Sequence, residues 1–252
     1  MTTIEYLPFF FFIIALFYSS VGFGGGSSYL AIMSLFLTDF YEIRSTALIL
    51  NICVVTIGTM IFVRNRVFDF KLFWPFLVSS IPLAYFGAQL RLSQKVFFLI
   101  LGASLILSGV AMMLRYIQAK LESLEFSLAK KLSLGGSVGF LAGVSGIGGG
   151  IFLSPTLNLL NWANPRTVAA LASIFILVNS TSGLIGLAVA GTFQLDPHLI
   201  WKLVLAVVLG GGIGSYLSNK KFNLRILGGL TAVLVIYVGL RLVLMHGFGI
   251  NI

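Results

Sequence analysis

The sequence has few charged residues. Charged side chains make up 9% of the 252 residues and hydrophobic side chains 58%, whereas soluble domains carry about 25% charged residues. A soluble chain of this length could not bury so much apolar side chain, so lipid must solvate much of it. The composition therefore excludes a soluble globular protein and indicates an integral membrane protein.

Acidic residues are absent from the middle of every apolar run. All seven lie at the ends of runs or between them: Glu5, Asp39, Glu42, Asp69, Glu122, Glu125 and Asp196. A proton relay or a cation site inside a membrane normally requires a carboxylate at depth. The distribution argues against a cationic substrate and favours an anion bound by backbone amides and hydroxyl groups.

Three further classes of function lack their sequence patterns. Cys53 is the only cysteine, which excludes an intrachain disulfide, and no Cys/His ligand spacing occurs, so we expect neither a metal nor a cofactor. The nucleotide-binding pattern GxxxxGK[ST] is absent, so ATP-driven pumping would need another subunit. The net charge of +9 is divided among short clusters between apolar runs, which does not indicate a nucleic-acid partner.

What the chain does contain is eight apolar runs. Six have about the 20 residues of one helical crossing, whereas the first and the fifth have about 30. A glycine cluster interrupts each long run near its middle, as GFGGG at Gly22–Gly26 and GIGGG at Gly146–Gly150. Because adjacent glycines destabilise a helix by roughly 1 kcal/mol each, the clusters predict breaks in both runs.

The matching clusters reveal an internal repeat. Downstream of them, Arg44 corresponds to Arg166, and Asp69 with Trp74 corresponds to Asp196 with Trp201. We predict a first transmembrane repeat at 1–116, a charged linker at 117–131 and a second repeat at 132–252. The predicted fold is an all-α integral membrane protein of two homologous halves related as inverted repeats. Each half consists of a glycine-broken re-entrant hairpin or broken helix plus three transmembrane helices.

The distribution of lysine and arginine favours the re-entrant alternative. If each long run turns back at its glycines, eleven of the sixteen cations fall on one side of the membrane, as the positive-inside rule requires. The five on the other side are Arg44, Arg91, Lys95, Lys202 and Arg241. A tilted helix broken in its middle is the alternative.

We expect a helix to restart after each break, near Ser27–Ser28 and near Ile151–Phe152, which places Pro155 in the first turn of the second of these helices. Each restarted helix offers a site for an anion. Its first amides have no intrahelical acceptor, and the positive end of the helix dipole points at the break. Paired broken helices from inverted halves are a recurrent design in transporters. The predicted substrate-binding residues are Gly24, Gly25, Gly26, Ser27, Ser28, Asn51, Ser145, Gly148, Gly149, Gly150, Ile151 and Asn179.

Other polar and small residues have simpler interpretations. We interpret Arg44 and Arg166, each near the start of a run, as interfacial anchors. Glycines spaced by four are typical of close helix packing, and they occur at Gly135, Gly139 and Gly143 and at Gly210 and Gly214.

Two other functions remain open. Gly143–Gly146 reads GVSG, similar to the serine motif of rhomboid-type intramembrane proteases, but Ser145 would need a base within hydrogen-bond reach. Alternatively, the chain could be a membrane assembly protein without transport, in which the glycine clusters serve packing alone.

The glycine clusters also carry a family resemblance. GIGGGIFLSP at Gly146–Pro155 resembles the signature of the sulfite exporter TauE/SafE family, and GFGGGSSYLA at Gly22–Ala31 resembles its first-half copy. The resemblance spans nearly the whole chain, although Ala31 stands where the second half has Pro155. It implies a multi-pass transporter in the inner cell membrane, rather than an enzyme, that moves small sulfur-containing anions such as sulfite or sulfonates. The expected partners are that anion and the lipid bilayer, and a homo-oligomer is compatible with the sequence.

Overall fold

The computed structural model describes residues 6–20, 23–37, 39–117, 126–218 and 224–250, and this part of the chain is helical without any β-strand. The predicted all-α class is therefore confirmed. The helices are α1 (Leu7–Ser20), α2 (Gly26–Phe36), α3 (Phe40–Arg64), α4 (Phe70–Gln89), α5 (Gln94–Ile117), α6 (Leu128–Ser145), α7 (Gly150–Leu159), α8 (Pro165–Val189), α9 (Pro197–Ser218) and α10 (Leu224–Val243), followed by a π-helical turn at Leu244–Phe248.

Several helices begin at the residues that the sequence supplies as caps. Asp39 accepts hydrogen bonds from the first amides of α3, and Asp69 does the same for α4. Asn164 caps α8, whose first residue is Pro165. Side-chain oxygens at these positions satisfy amides that have no intrahelical acceptor. The polar residues between the apolar runs thus fix where the long helices start.

Within the described residues, five helices are long and apolar enough to cross a membrane: α3, α4, the Gln94–Ala111 part of α5, α8, and the Pro197–Tyr216 part of α9. Their outer faces carry large exposed apolar side chains such as Trp201, Leu205 and Leu209 on α9, which suits a lipid environment. α10 has 20 residues, which matches one crossing in length.

The chain reverses direction at each glycine break. In the first half, Phe11 of α1 stacks on Tyr29 of α2 with ring centroids 4.8 Å apart. In the second half, the rings of Phe126 before α6 and Trp162 after α7 lie 6.5 Å apart. A straight helix would separate either pair by more than about 25 Å, at 1.5 Å per residue. The two arms of each long run therefore fold back as a hairpin.

Each hairpin packs on a helix of the other half, through the glycines that the sequence assigns to packing. α6 lies along α4, where a Cβ at Gly139 would stand 2.5 Å from Ser80 Cα. α1 lies along α9, where a Cβ at Gly210 or Gly214 would overlap backbone carbonyls of α1. The predicted packing role of these glycines is confirmed, because the helix backbones touch there.

Two further contacts pair corresponding helices of the two halves. α3 packs on α8, and α5 packs on α10. The predicted linker at 117–131 lies largely outside the described residues, and α6 already begins at Leu128. The two halves are thus interleaved, and the middle of α3 faces both glycine breaks.

Candidate functional site at the glycine breaks

The first break ends at a left-handed glycine. Gly25 has φ 90°, and α2 begins at Gly26 without a side-chain cap. A Cβ at Gly25 would stand 2.8 Å from the hydroxyl oxygen of Tyr29. Both the backbone angle and the close approach of this side chain require glycine here. Gly22, the first glycine of the predicted cluster, lies outside the described residues.

The second break repeats this feature and adds to it. Gly149 has φ 88°, and α7 begins at Gly150, again without a side-chain cap. Gly146 and Gly148 are also left-handed, with φ 73° and 85°. Both half-helices start one or two residues earlier than the Ser27–Ser28 and Ile151–Phe152 expected from sequence.

Both breaks present free helix N-termini. The amides of Gly26 and Ser27 in α2, and of Gly150 and Ile151 in α7, lie in the first turn of each helix and have no intrahelical acceptor. In the part of the chain that the structure describes, no side chain caps either helix. Each break is buried, and the positive end of a helix dipole points into it. This arrangement suits a negatively charged group.

Asn51 of α3 joins the two breaks. Its Nδ2 donates a 2.9 Å hydrogen bond to the carbonyl of Ile147 in the second break. Its side chain also lies against the first break, since a Cβ at Gly24 would stand 2.6 Å from Asn51 Oδ1. Asn51 is fully buried, and its Oδ1 has no hydrogen-bond partner within the described residues. The structure therefore brings Gly24, Gly26 and Gly148 around one amide side chain.

The predicted serines are buried beside the breaks. The Ser28 hydroxyl donates to Tyr18 of α1 at 2.6 Å, which ties the two arms of the first hairpin together. The Ser145 hydroxyl donates to the Leu141 carbonyl of its own helix at 2.6 Å, which leaves its oxygen as an acceptor. Ser27 lies in the first turn of α2. These residues line the breaks, but two of the hydroxyl hydrogens are already engaged.

α8 places the polar side chain of Ser180 against the second break, one residue after the predicted Asn179. Asn179 Nδ2 donates to the Phe175 carbonyl of α8 at 2.8 Å, and Asn179 Oδ1 has no partner in the described chain. A Cβ at Gly148 would stand 2.8 Å from Ser180 Oγ, which also lacks a partner among the described residues. Ser180 was not among the predicted site residues, although its place in the polar run at 179–182 was a usable clue.

The interpretation of Arg44 as an interfacial anchor is wrong. Its side chain is 0% exposed, and Nη2 donates to the carbonyls of Ala88 at 3.3 Å and Gly143 at 2.9 Å. The ends of α4 and α6 cover it, so its position near the start of α3 does not bring it to the surface. Arg166 at the start of α8 is exposed, as an anchor would be.

Proline was expected in the first turn of α7, and this is also wrong. Pro155 is the sixth residue of α7, so its missing amide deprives the Ile151 carbonyl of a helical donor. The first half has Ala31 at this position and a regular helix.

The fold and the site define a multi-pass helical membrane protein with an internal polar site where two broken helices meet. A sequence profile described as sulfite exporter TauE/SafE matches residues 7–242. The chain therefore belongs to the sulfite exporter TauE/SafE family, a family of membrane transporters, and the resemblance seen in the glycine motifs is confirmed.

Two relatives carry names that describe transporters. The probable membrane transporter protein y4hK of Sinorhizobium fredii is 33% identical over 238 residues, covering 92% of this chain and 95% of the relative. The probable membrane transporter protein YunE of Bacillus subtilis is 22% identical over 209 residues, covering 74% of each. No solved structure matches the chain.

Proposed function

We propose that this chain is a secondary transporter for a small sulfur-containing anion, such as sulfite, a sulfonate or a related organosulfur acid. The anion is held at the N-termini of α2 and α7 and crosses by alternating access. The observation that carries the proposal is the meeting of two uncapped helix N-termini at Asn51.

The chemistry of the breaks suits an oxyanion. Amides at a helix N-terminus donate hydrogen bonds, and the helix dipole favours negative charge there. Glycine lets an oxyanion approach these amides closely. The described carboxylates lie at or near helix starts, as Asp39 and Asp69 do, and none of them is among the residues that line the breaks.

In this proposal, the amides of 24–28 and 148–151 bind the anion and side chains set its selectivity. The selectivity residues are Ser27, Ser28, Asn51, Ser145 and Asn179. Asn51 presents one amide group to both breaks, since its side chain lies against Gly24 and donates a hydrogen bond to the Ile147 carbonyl.

Alternating access follows from treating residues 1–116 and 132–252 as inverted repeats joined by a linker at 117–131. A hairpin that returns to its own side, followed by three crossings, reverses the orientation of the second half. The folded-back hairpins and the pairing of α1 with α9 and α6 with α4 support this arrangement. Rocking of one half against the other would then expose the breaks to each side in turn.

The protease alternative finds no support at Ser145. A serine nucleophile needs a base that accepts its proton, whereas the Ser145 hydroxyl donates to the Leu141 carbonyl. Of the two histidines, His198 lies in the first turn of α9, and His246 stacks on Phe98 of α5. We therefore propose a transporter rather than an enzyme.

Uptake of radiolabelled sulfite and of a small sulfonate into proteoliposomes tests the proposal. The unmodified protein is expected to show saturable flux, and Gly25→Val and Gly149→Val are expected to abolish it. Valine is disfavoured at φ near +90°, and its side chain would occupy the space beside Tyr29 or Phe175.

Gly191→Val is the matched control. Gly191 is also left-handed, with φ 68°, but a Cβ there would meet nothing within 4 Å. Valine at position 191 therefore imposes a similar backbone strain, but away from the breaks. Equal loss of flux in all three folded variants would favour a purely structural role for the glycines, and a folded unmodified protein without flux of either anion would contradict the proposal.

A further inference from the structure

Arg44 is a buried cation with spare hydrogen-bond donors. A guanidinium has five N–H groups, and Nη2 uses its two on the carbonyls of Ala88 and Gly143. Nε and Nη1 have no partner within the described residues, although the side chain is 0% exposed. Both partners of Nη2 are neutral carbonyls, so its positive charge has no anionic hydrogen-bond partner there.

A purely structural role explains only part of this arrangement. Nη2 bridges the last turns of α4 and α6, where carbonyls without helical donors attract a cation. That bridge leaves the hydrogens of Nε and Nη1 without acceptors among the described residues. Burying the donors of a charged group without acceptors is costly, so Nε and Nη1 need a partner of their own.

Arg44 lies next to the second glycine break. A Cβ at Gly146 would stand 3.3 Å from Arg44 Cγ. Asn51 follows Arg44 by seven residues in α3, which places both on one helix face about 10 Å apart along the axis. Phe97 of α5 covers the guanidinium with its ring centroid 5.7 Å from Cζ. Arg44 thus lies between the breaks and the membrane face at which α3 begins.

We propose that Arg44 is an anion-binding residue that receives the transported oxyanion through Nε and Nη1 on its way between the breaks and that membrane face. This rests on the proposed function, because the oxyanion is the transported substrate. The guanidinium carries a full positive charge, whereas helix N-termini supply partial charges. Arg44 should therefore favour a doubly charged anion such as sulfite at alkaline pH over a singly charged sulfonate.

Transport kinetics of Arg44→Gln in proteoliposomes test the inference, with sulfite and methanesulfonate as the probes at alkaline pH. We expect the KM for sulfite to rise by about tenfold or more, because a charge-assisted contact is lost, and the KM for methanesulfonate to rise less. Arg166→Gln is the matched control: it removes an exposed arginine from the corresponding helix of the other half and should leave both KM values unchanged.

Arg44→Lys separates anion binding from the bridge between the helices. Lysine keeps the charge and can donate to the two carbonyls, but its three N–H groups leave few for an anion. It is expected to fold and to raise the KM for sulfite several-fold. A merely structural role would lower thermal stability in both variants without changing the charge preference of the folded protein.

The outcomes separate this inference from the proposed function. An unchanged KM for sulfite in folded Arg44→Gln, or in Arg44→Lys if the glutamine variant does not fold, overturns the role of Arg44 while saturable flux in the unmodified protein still supports transport. Absence of flux in the unmodified protein contradicts the proposed function itself and, with it, the proposed role of Arg44.

Discussion

The two glycine breaks share a backbone but differ in their surroundings. Each ends in a left-handed glycine that opens an uncapped helix, Gly25 before α2 and Gly149 before α7. The first break lies against the phenol of Tyr29, whereas the second has Ser180 and Arg44 beside it and a proline in its helix. The backbone feature is thus common to both halves, and the side chains that surround it are specific to each.

This difference indicates that the breaks are not interchangeable. Amides and a dipole are available at both, but a full positive charge is adjacent only to the second among the described residues. An anion held between them would therefore experience an asymmetric field, although the helices that supply its hydrogen bonds are alike. The variants below test how far the two breaks act as one site.

Asn51→Leu is expected to have the largest effect of these variants, because Asn51 contacts both breaks. It removes the bond to the Ile147 carbonyl and leaves that buried oxygen unpaired, at a cost of about 1–3 kcal/mol in the free energy of unfolding. Flux of sulfite should fall by at least about tenfold. The measurements are thermal unfolding in detergent and uptake into proteoliposomes.

Asn158→Leu is the control for Asn51→Leu. Asn158 is also buried, but its amide donates within its own helix to Ser154. A loss of flux in Asn158→Leu as large as in Asn51→Leu would mean that a buried asparagine matters for folding alone. The contact of Asn51 with both breaks would then have no specific role in transport.

A pair of hydroxyl deletions compares the breaks directly. Tyr29→Phe at the first break and Ser180→Ala at the second each remove a buried hydroxyl that has no partner within the described chain. Stability should stay within about 1 kcal/mol of the unmodified protein, since no protein hydrogen bond is lost. The KM for sulfite is expected to rise several-fold in both if the anion touches both breaks.

Ser108→Ala serves as the reference for these deletions. Ser108 of α5 is likewise buried without a partner among the described residues, and it is not among the residues that line the breaks. A rise of KM in only one of the two test variants would assign the anion to the break at which that variant lies. Equal KM values in all three variants would show that the anion contacts neither the Tyr29 nor the Ser180 hydroxyl.

Pro155→Ala should have the smallest effect. Alanine restores an amide that can donate to the Ile151 carbonyl, as the regular helix of the first half does at Ala31. Flux should change by less than about threefold, equivalent to less than about 0.7 kcal/mol in the barrier. Pro82→Ala in α4 controls for proline removal from a helix, and a selective loss of flux in Pro155→Ala would show that the second break needs its irregular helix.

Much of the fold could be predicted from sequence, because hydropathy and glycine propensity act locally. The apolar runs, the breaks at Gly24–Gly26 and Gly148–Gly150 and the packing glycines of α6 and α9 all follow from residues close together in the chain. The helix starts deviated by only one or two residues, since glycine at φ near +90° can itself begin a helix.

The surroundings of the breaks could not be predicted in the same way. Arg44 resembles an interfacial anchor by position, and only the ends of α4 and α6, which bury it, show otherwise. Ser180 resembles its polar neighbours in α8, and only its approach to Gly148 distinguishes it. In both cases the decisive neighbours are distant in sequence.

The sequence by itself determined that the protein resides in a membrane, that it is helical, and that each half contains a broken helix. These properties depend on side-chain hydropathy and on the backbone freedom of glycine, which each residue carries wherever it lies. Only the tertiary structure decided that the breaks meet at Asn51 and that Arg44 is buried beside one of them. Those properties depend on how α3 packs against hairpins from both halves, and such contacts exist only once the whole chain has folded.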